Sequence, residues 1–482
     1  MKKNLLSIAV AASVVGTSAH AAMYLNPEGT GEVLLFPYYN AENGNETSIH
    51  IVNTTGDAKA VKVRILEYVN SQEVLDFNLY MSAQDHFSFT IFENPNGTGG
   101  ALITRDNSCT VPALGDATAG VPGYTETAAN GATVRVQPFL PYAYDDDAYS
   151  SVYRTKIGHV EVIEMGVLTE DLAWEVAATH GADGVPADCP ALVKAWSTGG
   201  KWLSDNDFGL SDPSGGLYGV SNHLNNQDAA AYGIEASAIA NFWDTANQDV
   251  PLIAHTAPSV KQPSLQSGIK SSLVPDMGAY YTNTYLSGVD AVSSLFMTAS
   301  VSNDVMINPV LNGMTDWVIT FPTRRYYVNG AAAVPPFTDV YDEKTPNSAC
   351  EVVTIEQWDR EEAIKETEVD GPIFSPEPPP GEAPKPSSIC YETNTIAAGG
   401  TTSALNATMS TTATAAAAVS LSFEYVEGWQ RITFADDDHE LDAVTGPTLQ
   451  GLPAIGFAAF KYTNATSNYG FASDHKTAVA TS

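Results

Sequence analysis

Basic residues are scarce in this chain, which has 22 Lys and Arg against 56 Asp and Glu. A surface with this imbalance repels nucleic-acid phosphates and anionic lipid head groups, and it attracts cations. The sequence therefore predicts no nucleic-acid partner. The simplest reason for such an acidic surface is solubility, since net charge far from zero keeps proteins apart.

Long apolar runs are also scarce, and none outside the N-terminus reaches the length of a transmembrane helix. Lys2 and Lys3 precede the apolar residues 5–15, and Ala19-His20-Ala21 has the small residues that signal peptidase accepts. The sequence predicts a signal peptide over residues 1–21. Export to the extracellular space or cell surface follows, with the periplasm as the alternative. The mature chain has 20 basic and 56 acidic residues, a formal charge of −36.

Only four cysteines occur, Cys109, Cys189, Cys350 and Cys390. Their spacing does not resemble a CxxC zinc or redox site. Disulfides are the usual state of cysteines in an exported protein, and three pairings are possible. The sequential pairing closes the shortest loops and is favoured. Each bond then stabilises the fold by roughly 4 kcal/mol in the loop-entropy model.

Recognisable catalytic motifs are missing, including HExxH, GxSxG and the P-loop. An SxxK match at Ser267 and an SDN match at Ser204 occur in reversed order, without the KTG element of serine β-lactamases. The nine histidines show no metal-ligand spacing, and His50 is interpreted as a packed or surface-facing strand residue. No catalytic residue is predicted, although a hydrolase without a recognisable motif stays an alternative.

The residues that are present favour β-structure. In residues 60–66, Val61, Val63 and Ile65 alternate with Lys62 and Arg64, which is typical of a half-buried strand. Similar patterns predict strands at residues 33–39, 48–53, 75–80, 86–92, 134–136, 159–163, 315–321, 325–328, 419–426, 429–434 and 455–462. Helices are predicted within residues 169–180 and 191–196, whereas residues 215–243 fit either loop or strand.

These elements predict a mainly β fold of antiparallel immunoglobulin-like β-sandwiches, with a mixed, partly helical insertion and a Pro-rich loop. The predicted units after the signal peptide are an N-terminal β-sandwich (22–165), a mixed insertion (166–255), a β segment (256–349), an acidic and Pro-rich excursion closed by a disulfide (350–390) and a C-terminal β segment (391–482).

Two family resemblances follow from particular segments. Residues 52–63 and 75–79 resemble the strand–turn–strand rhythm of immunoglobulin-like domains, over residues 31–92 of the chain. The blocks VLLFPYY (33–39), EVLDFNLY (73–80) and DWVITFP (316–322) are similar to blocks in uncharacterised secreted proteins of Gram-negative bacteria. This second resemblance spans most of the mature chain. It implies export and a shared fold, and it implies no activity.

Two acidic clusters are candidate calcium sites, because calcium prefers oxygen ligands and loops at strand ends can supply them. A solvated turn is the favoured interpretation of each, and neither has EF-hand spacing. The six residues are Asp145, Asp146, Asp147, Asp436, Asp437 and Asp438.

Paired tyrosines are candidate stacking platforms for a glycan. They occur at Tyr38-Tyr39, Tyr280-Tyr281 and Tyr326-Tyr327. Because neighbouring residues of a strand face opposite ways, half of each pair is expected in the core.

The favoured function is that of a non-catalytic exported surface or matrix protein that acts by assembly or adhesion. Self-assembly would use exposed β-strand edges, and the apolar residues 23–39 are a candidate donor strand. A carbohydrate- or calcium-binding module is the first alternative, and a secreted hydrolase is the second.

Overall fold

The computed structural model describes residues 22–481, apart from residues 97–98, 119–120, 129, 142–151, 170–172, 227, 245–253, 277–278, 343–347, 363, 367–387, 399–402, 409–417, 422, 424, 435 and 465–466. The predicted signal peptide, the three aspartates Asp145, Asp146 and Asp147, and most of the Pro-rich run lie outside these residues. The fold is mainly β, with 48% strand and 10% helix, as predicted.

The strands of the first half are β1 Tyr24–Leu25, β2 Val33–Asn40, β3 Asn45–Asn53, β4 Lys59–Glu67, β5 Glu73–Met81, β6 His86–Glu93, β7 Gly100–Thr104, β8 Cys109–Val111, β9 Ala117–Thr118, β10 Val121–Pro122, β11 Tyr124–Thr127, β12 Thr133–Pro138, β13 Ile157–Leu168, β14 Leu210–Ser211, β15 Leu217–Asn225, β16 Ala230–Glu235 and β17 Ser237–Ala240.

Those of the second half are β18 Ser271–Asp276, β19 Ala279–Thr284, β20 Met297–Thr298, β21 Ser300–Met306, β22 Met314–Thr320, β23 Glu351–Val352, β24 Thr354–Asp359, β25 Ile364–Glu366, β26 Ser388–Ile389, β27 Thr393–Ala398, β28 Ala418–Leu421, β29 Glu427–Thr433, β30 Glu440–Leu441, β31 Leu449–Gln450, β32 Leu452–Pro453, β33 Ile455–Thr463, β34 Asn468–Asp474, β35 Lys476–Ala478 and β36 Ala480–Thr481. The α-helices are α1 Ala173–Ala178, α2 Cys189–Ala195, α3 Lys201–Ser204, α4 Gly288–Phe296 and α5 Arg325–Val328, and 3₁₀ turns lie at Val152–Lys156 and Leu265–Ser267.

The first half forms a sandwich of two antiparallel sheets. Sheet I has the order β1-β17-β2-β13-β4-β5-β8, with β14 beside β13, and sheet II has the order β11-β12-β7-β6-β3-β15-β16. Their facing sides enclose a core that includes Phe36, Phe77 and Phe87. Because β15, β16 and β17 complete the two sheets, this sandwich extends to Ala240, and the predicted boundary at residue 165 cuts through it.

The apolar N-terminal segment lies inside this sandwich. Strand β2 pairs with β13 on one side and with β17 on the other, and Met23 is completely buried. Residues 23–39 are therefore not a free donor strand, because their hydrogen-bonding partners are in the same chain. The expectation that they would be donated to a second copy is wrong for this structure.

The second half forms another sandwich. Sheet III has the order β28-β27-β22-β33-β34, and sheet IV has the order β25-β24-β29-β21-β35. Trp317 and Ile319 of sheet III pack with Ile355 and Ile432 of sheet IV in its core. The immunoglobulin-like topology of the two sandwiches stays a prediction.

Two local predictions in this half are wrong. Residues 325–328 form helix α5 and not a strand, since local turns satisfy their amides, as in the bond from Tyr327 N to Arg324 O (2.9 Å). Part of the predicted excursion belongs to the sandwich, because β24 is a strand of sheet IV. Buried and more exposed residues alternate along β24, and Ile355 faces the core. In the sequence, the surrounding acidic residues obscure this pattern.

The two sandwiches stack, because the outer face of sheet I packs against sheet III. Val318 and Phe457 of sheet III share a cluster with Tyr38 of sheet I. Sheet I is consequently covered on both faces, and every residue of β4 is buried. The prediction that β4 is half-buried, with Lys62 and Arg64 facing solvent, is therefore wrong.

Buried charges in sheet I are paired. The Arg64 guanidinium donates to Glu161, and its Nε lies 2.8 Å from Oε1 of Glu73. Lys59 Nζ donates to Oε1 of Glu164 at 2.6 Å, and these two side chains are fully buried. Such pairing is required, because an unpaired buried charge is far more costly than the pair.

Two disulfides fasten the structure, Cys109–Cys189 and Cys350–Cys390, which is the sequential arrangement. The first joins β8 to α2. The small helical region at α1, α2 and α3 packs there around Trp202, which is 1% exposed.

The buried pairing of Arg64 predicts a large effect on stability. Arg64→Ala should lower the free energy of unfolding by about 3–5 kcal/mol, because it leaves two buried carboxylates without their cation. Arg360→Ala is the matched control, since its pair with Glu427 has an arginine side chain that is 68% exposed, and it should cost less than about 1 kcal/mol. Urea denaturation of both variants measures this, and equal losses would contradict it.

Candidate functional site

A group of polar and charged side chains lies where the turn between β4 and β5 meets the C-terminal sandwich. We call this group the polar joint. Arg154 makes two bonds to Glu67, from Nε to Oε2 (3.0 Å) and from Nη2 to Oε1 (2.7 Å). The Glu67 carboxylate also accepts backbone N–H groups of the turn, such as that of Val69 (2.7 Å). Arg325 donates to the Ser71 carbonyl, which ties the turn to α5.

Two titratable side chains in this joint have strongly shifted pKa values. Burial raises the pKa of Glu392 to about 8, against the charge of Arg324, and burial lowers the pKa of His159 to about 3. Five polar atoms have no hydrogen-bond partner among the residues that the structure describes: His159 Nε2, Arg324 Nε and Nη2, and both carboxylate oxygens of Glu392. Shifted pKa values are common at active sites. Here, however, each residue is at most 1% exposed, so a substrate has no access to them.

The Glu392 shift predicts a pH dependence of stability. Folded Glu392 stays protonated up to about pH 8, whereas the unfolded chain loses this proton near the ordinary pKa of 4.5. Unfolding therefore releases a proton between these values, and stability falls as pH rises through that window. Glu392→Gln should lessen this fall by about 3–4 kcal/mol between pH 5 and pH 8.

Urea denaturation at both pH values measures the difference between wild type and variant. Asp316 and Glu32, whose pKa values burial raises to about 6 and about 7, act in the same direction. Both are present in the two proteins and cancel in the comparison. An unchanged slope against pH would show that Glu392 is ionised in the folded protein.

The aspartates predicted as a calcium site at 436–438 form an exposed turn. Asp436 Oδ1 accepts the N–H groups of Asp438 (2.9 Å) and His439 (3.0 Å). Buried His439 lies with Nε2 at 2.9 Å from Oε2 of Glu351. Burial alone would lower the pKa of His439, but the bond to Glu351 and the charge of Asp436 raise it. The described residues contain no group of three or more His, Cys, Asp or Glu that could hold a metal ion.

The three predicted tyrosine platforms differ in accessibility. Tyr38 and Tyr39 are fully buried, and Tyr327 is 4% exposed. Tyr280 and Tyr281 are 60% and 45% exposed on the β18–β19 hairpin. Of the three pairs, this last one is accessible on both side chains.

An exposed aromatic group that the sequence did not reveal lies on the outer face of sheet IV. Trp358 of β24 is directly opposite Trp429 of β29, and their rings stack with centroids 3.9 Å apart at 8°. Both side chains are partly exposed. Gly428 allows the close strand pairing here, since a Cβ on it would lie 1.9 Å from the Trp358 carbonyl oxygen.

Ion pairs flank the two tryptophans on both sides. Arg431 Nη2 lies 2.6 Å from Oε2 of Glu356 in the preceding row, and Arg360 Nη1 lies 3.0 Å from Oε2 of Glu427 in the following one. The Arg431 guanidinium also lies over the Trp358 ring, 5.1 Å from its centroid. We call these six residues the tryptophan ladder: Glu356, Trp358, Arg360, Glu427, Trp429 and Arg431. Donors, acceptors and aromatic surface are thus aligned on one exposed strip.

A second exposed group lies on the outer face of sheet II. His50 of β3 and His86 of β6 stack with ring centroids 5.3 Å apart, and His50 Nδ1 lies 3.1 Å from His86 Nε2. Sequence spacing did not predict this pair, because it depends on the β3–β6 register, in which Val52 is opposite His86.

Comparisons of the chain with models of protein families, with curated proteins and with solved structures find no match. The resemblance to secreted proteins of Gram-negative bacteria stays a prediction. In the described part of the chain, no helix has the length and hydropathy needed to cross a bilayer.

Proposed function

We propose that this chain is a non-catalytic exported protein that acts by adhesion, and that the tryptophan ladder binds neutral glycans. The stacked, partly exposed Trp358–Trp429 pair carries the proposal. Tryptophan and arginine are the residue types that contribute most to binding energy at protein surfaces.

The flanking ion pairs suit a glycan in particular. Sugar hydroxyls need donors and acceptors close to an apolar surface, and Arg431 with Glu356 supplies both beside Trp358. Their side chains are 38% and 18% exposed, so part of their hydrogen-bonding capacity remains open to solvent.

Overall charge favours a neutral ligand. A mature chain with a formal charge of −36 repels acidic polymers and other copies of itself at low ionic strength. A neutral glycan meets no such repulsion, and the paired charges of the tryptophan ladder leave that strip close to neutral.

Two further observations support an exported protein without a catalytic role. The two disulfides are typical of an oxidising compartment outside the cytoplasm. The polar joint, which resembles an active site in its shifted pKa values, is buried beyond the reach of a substrate.

Binding of purified mature protein to an array of neutral and acidic oligosaccharides tests the proposal. We expect binding to neutral glycans, and Trp429→Ala should weaken it about tenfold or more, since an aromatic contact contributes about 0.5–1.5 kcal/mol beyond its buried area. Phe471→Ala is the matched control, because Phe471 is a 47% exposed aromatic on sheet III.

Thermal melting shows whether each variant is folded. No glycan binding by wild-type protein, or full binding by folded Trp429→Ala, would contradict the proposal. Self-association that Trp429→Ala abolishes, without glycan binding, would instead assign this strip to contact between copies of the chain.

A further inference from the structure

The outer face of sheet II brings two histidines together from residues 36 positions apart in the chain. We infer that His50 and His86 form a surface site for a divalent transition-metal ion, of the type of Cu²⁺, Ni²⁺ or Zn²⁺. Neutral imidazole is a good ligand for all three of these ions.

The distance between the two ring nitrogens fits this site. His50 Nδ1 and His86 Nε2 face each other at 3.1 Å. Two nitrogens bound to one metal at about 2.0–2.1 Å, with an angle between a right angle and a tetrahedral one, lie about 2.9–3.4 Å apart. The separation of the two nitrogens is therefore the one that a single bound metal ion requires.

The other nitrogen of His50 has an orienting partner. His50 Nε2 lies 3.2 Å from Ser48 Oγ, and Thr90 Oγ1 donates to that same hydroxyl oxygen at 3.4 Å. Metal-binding histidines usually hold their second nitrogen in this way, because the bond fixes the ring orientation and the tautomer. When the Nε2–H group donates to Ser48, the Nδ1 lone pair faces His86.

The site is open to solvent, and the acidic charge of the chain favours a cation. His86 is exposed and His50 is partly exposed, so water or a group of a partner can occupy the remaining coordination positions. The acidic surface also raises the local concentration of cations.

Calorimetric titration of tag-free mature protein at pH 7.5 with Cu²⁺, Ni²⁺ or Zn²⁺ tests this inference. We expect one site per chain that binds Cu²⁺ most tightly, following the general affinity order of these ions. His50→Ala and His86→Ala should each abolish that site. Ser48→Ala should weaken it about tenfold, as expected for an orienting partner.

His180→Ala is the matched control, because His180 is another partly exposed histidine, with a side chain that is 22% exposed, and its Nδ1 lies 2.9 Å from Ser82 Oγ. It should leave the affinity unchanged. Electron paramagnetic resonance of the Cu²⁺ complex should show two imidazole nitrogens in wild type and one or none in the His86→Ala variant. Absence of binding, or equal binding by wild type and both histidine variants, would overturn the inference.

Discussion

The burial of sheet I on both faces is the constraint on which the rest of this structure depends. One face packs on sheet II and encloses a largely apolar core, whereas the other meets sheet III and its connecting segments. Charged residues on that second face cannot reach solvent, so each must find its partner within the protein. Arg64 between Glu73 and Glu161 shows this requirement most directly.

The burial of sheet I on both faces also determines how the two sandwiches are connected. Glu67 and Arg154 hold the turn after β4, and this turn is fastened to the C-terminal half through Arg325. The polar joint is energetically costly at Glu392 and Arg324, because both side chains are buried and several of their polar atoms have no hydrogen-bond partner among the described residues. Its pKa shifts therefore reflect burial between two sandwiches, and they do not require a catalytic role.

Stacking the two sandwiches also decides where function can lie. Sheet I is covered on both faces and sheet III packs against it, whereas the outer faces of sheets II and IV are open to solvent at two groups of side chains. The histidine pair lies on the first and the tryptophan ladder on the second. Each is a cross-strand group, in which side chains from two strands combine at the surface.

The sequence by itself determined the mainly β class, the positions of most strands in the first third, and the four cysteines, because period-two patterning and composition are local properties. Only the tertiary structure decided that Lys62 and Arg64 are buried, since a second covering layer is invisible in a single strand. Strand β24 was missed for a related reason, as its inward-facing Ile355 and Gln357 lie in an acidic segment. The contacts Trp358–Trp429 and His50–His86 depend on strand register, which long-range pairing fixes and local patterning does not.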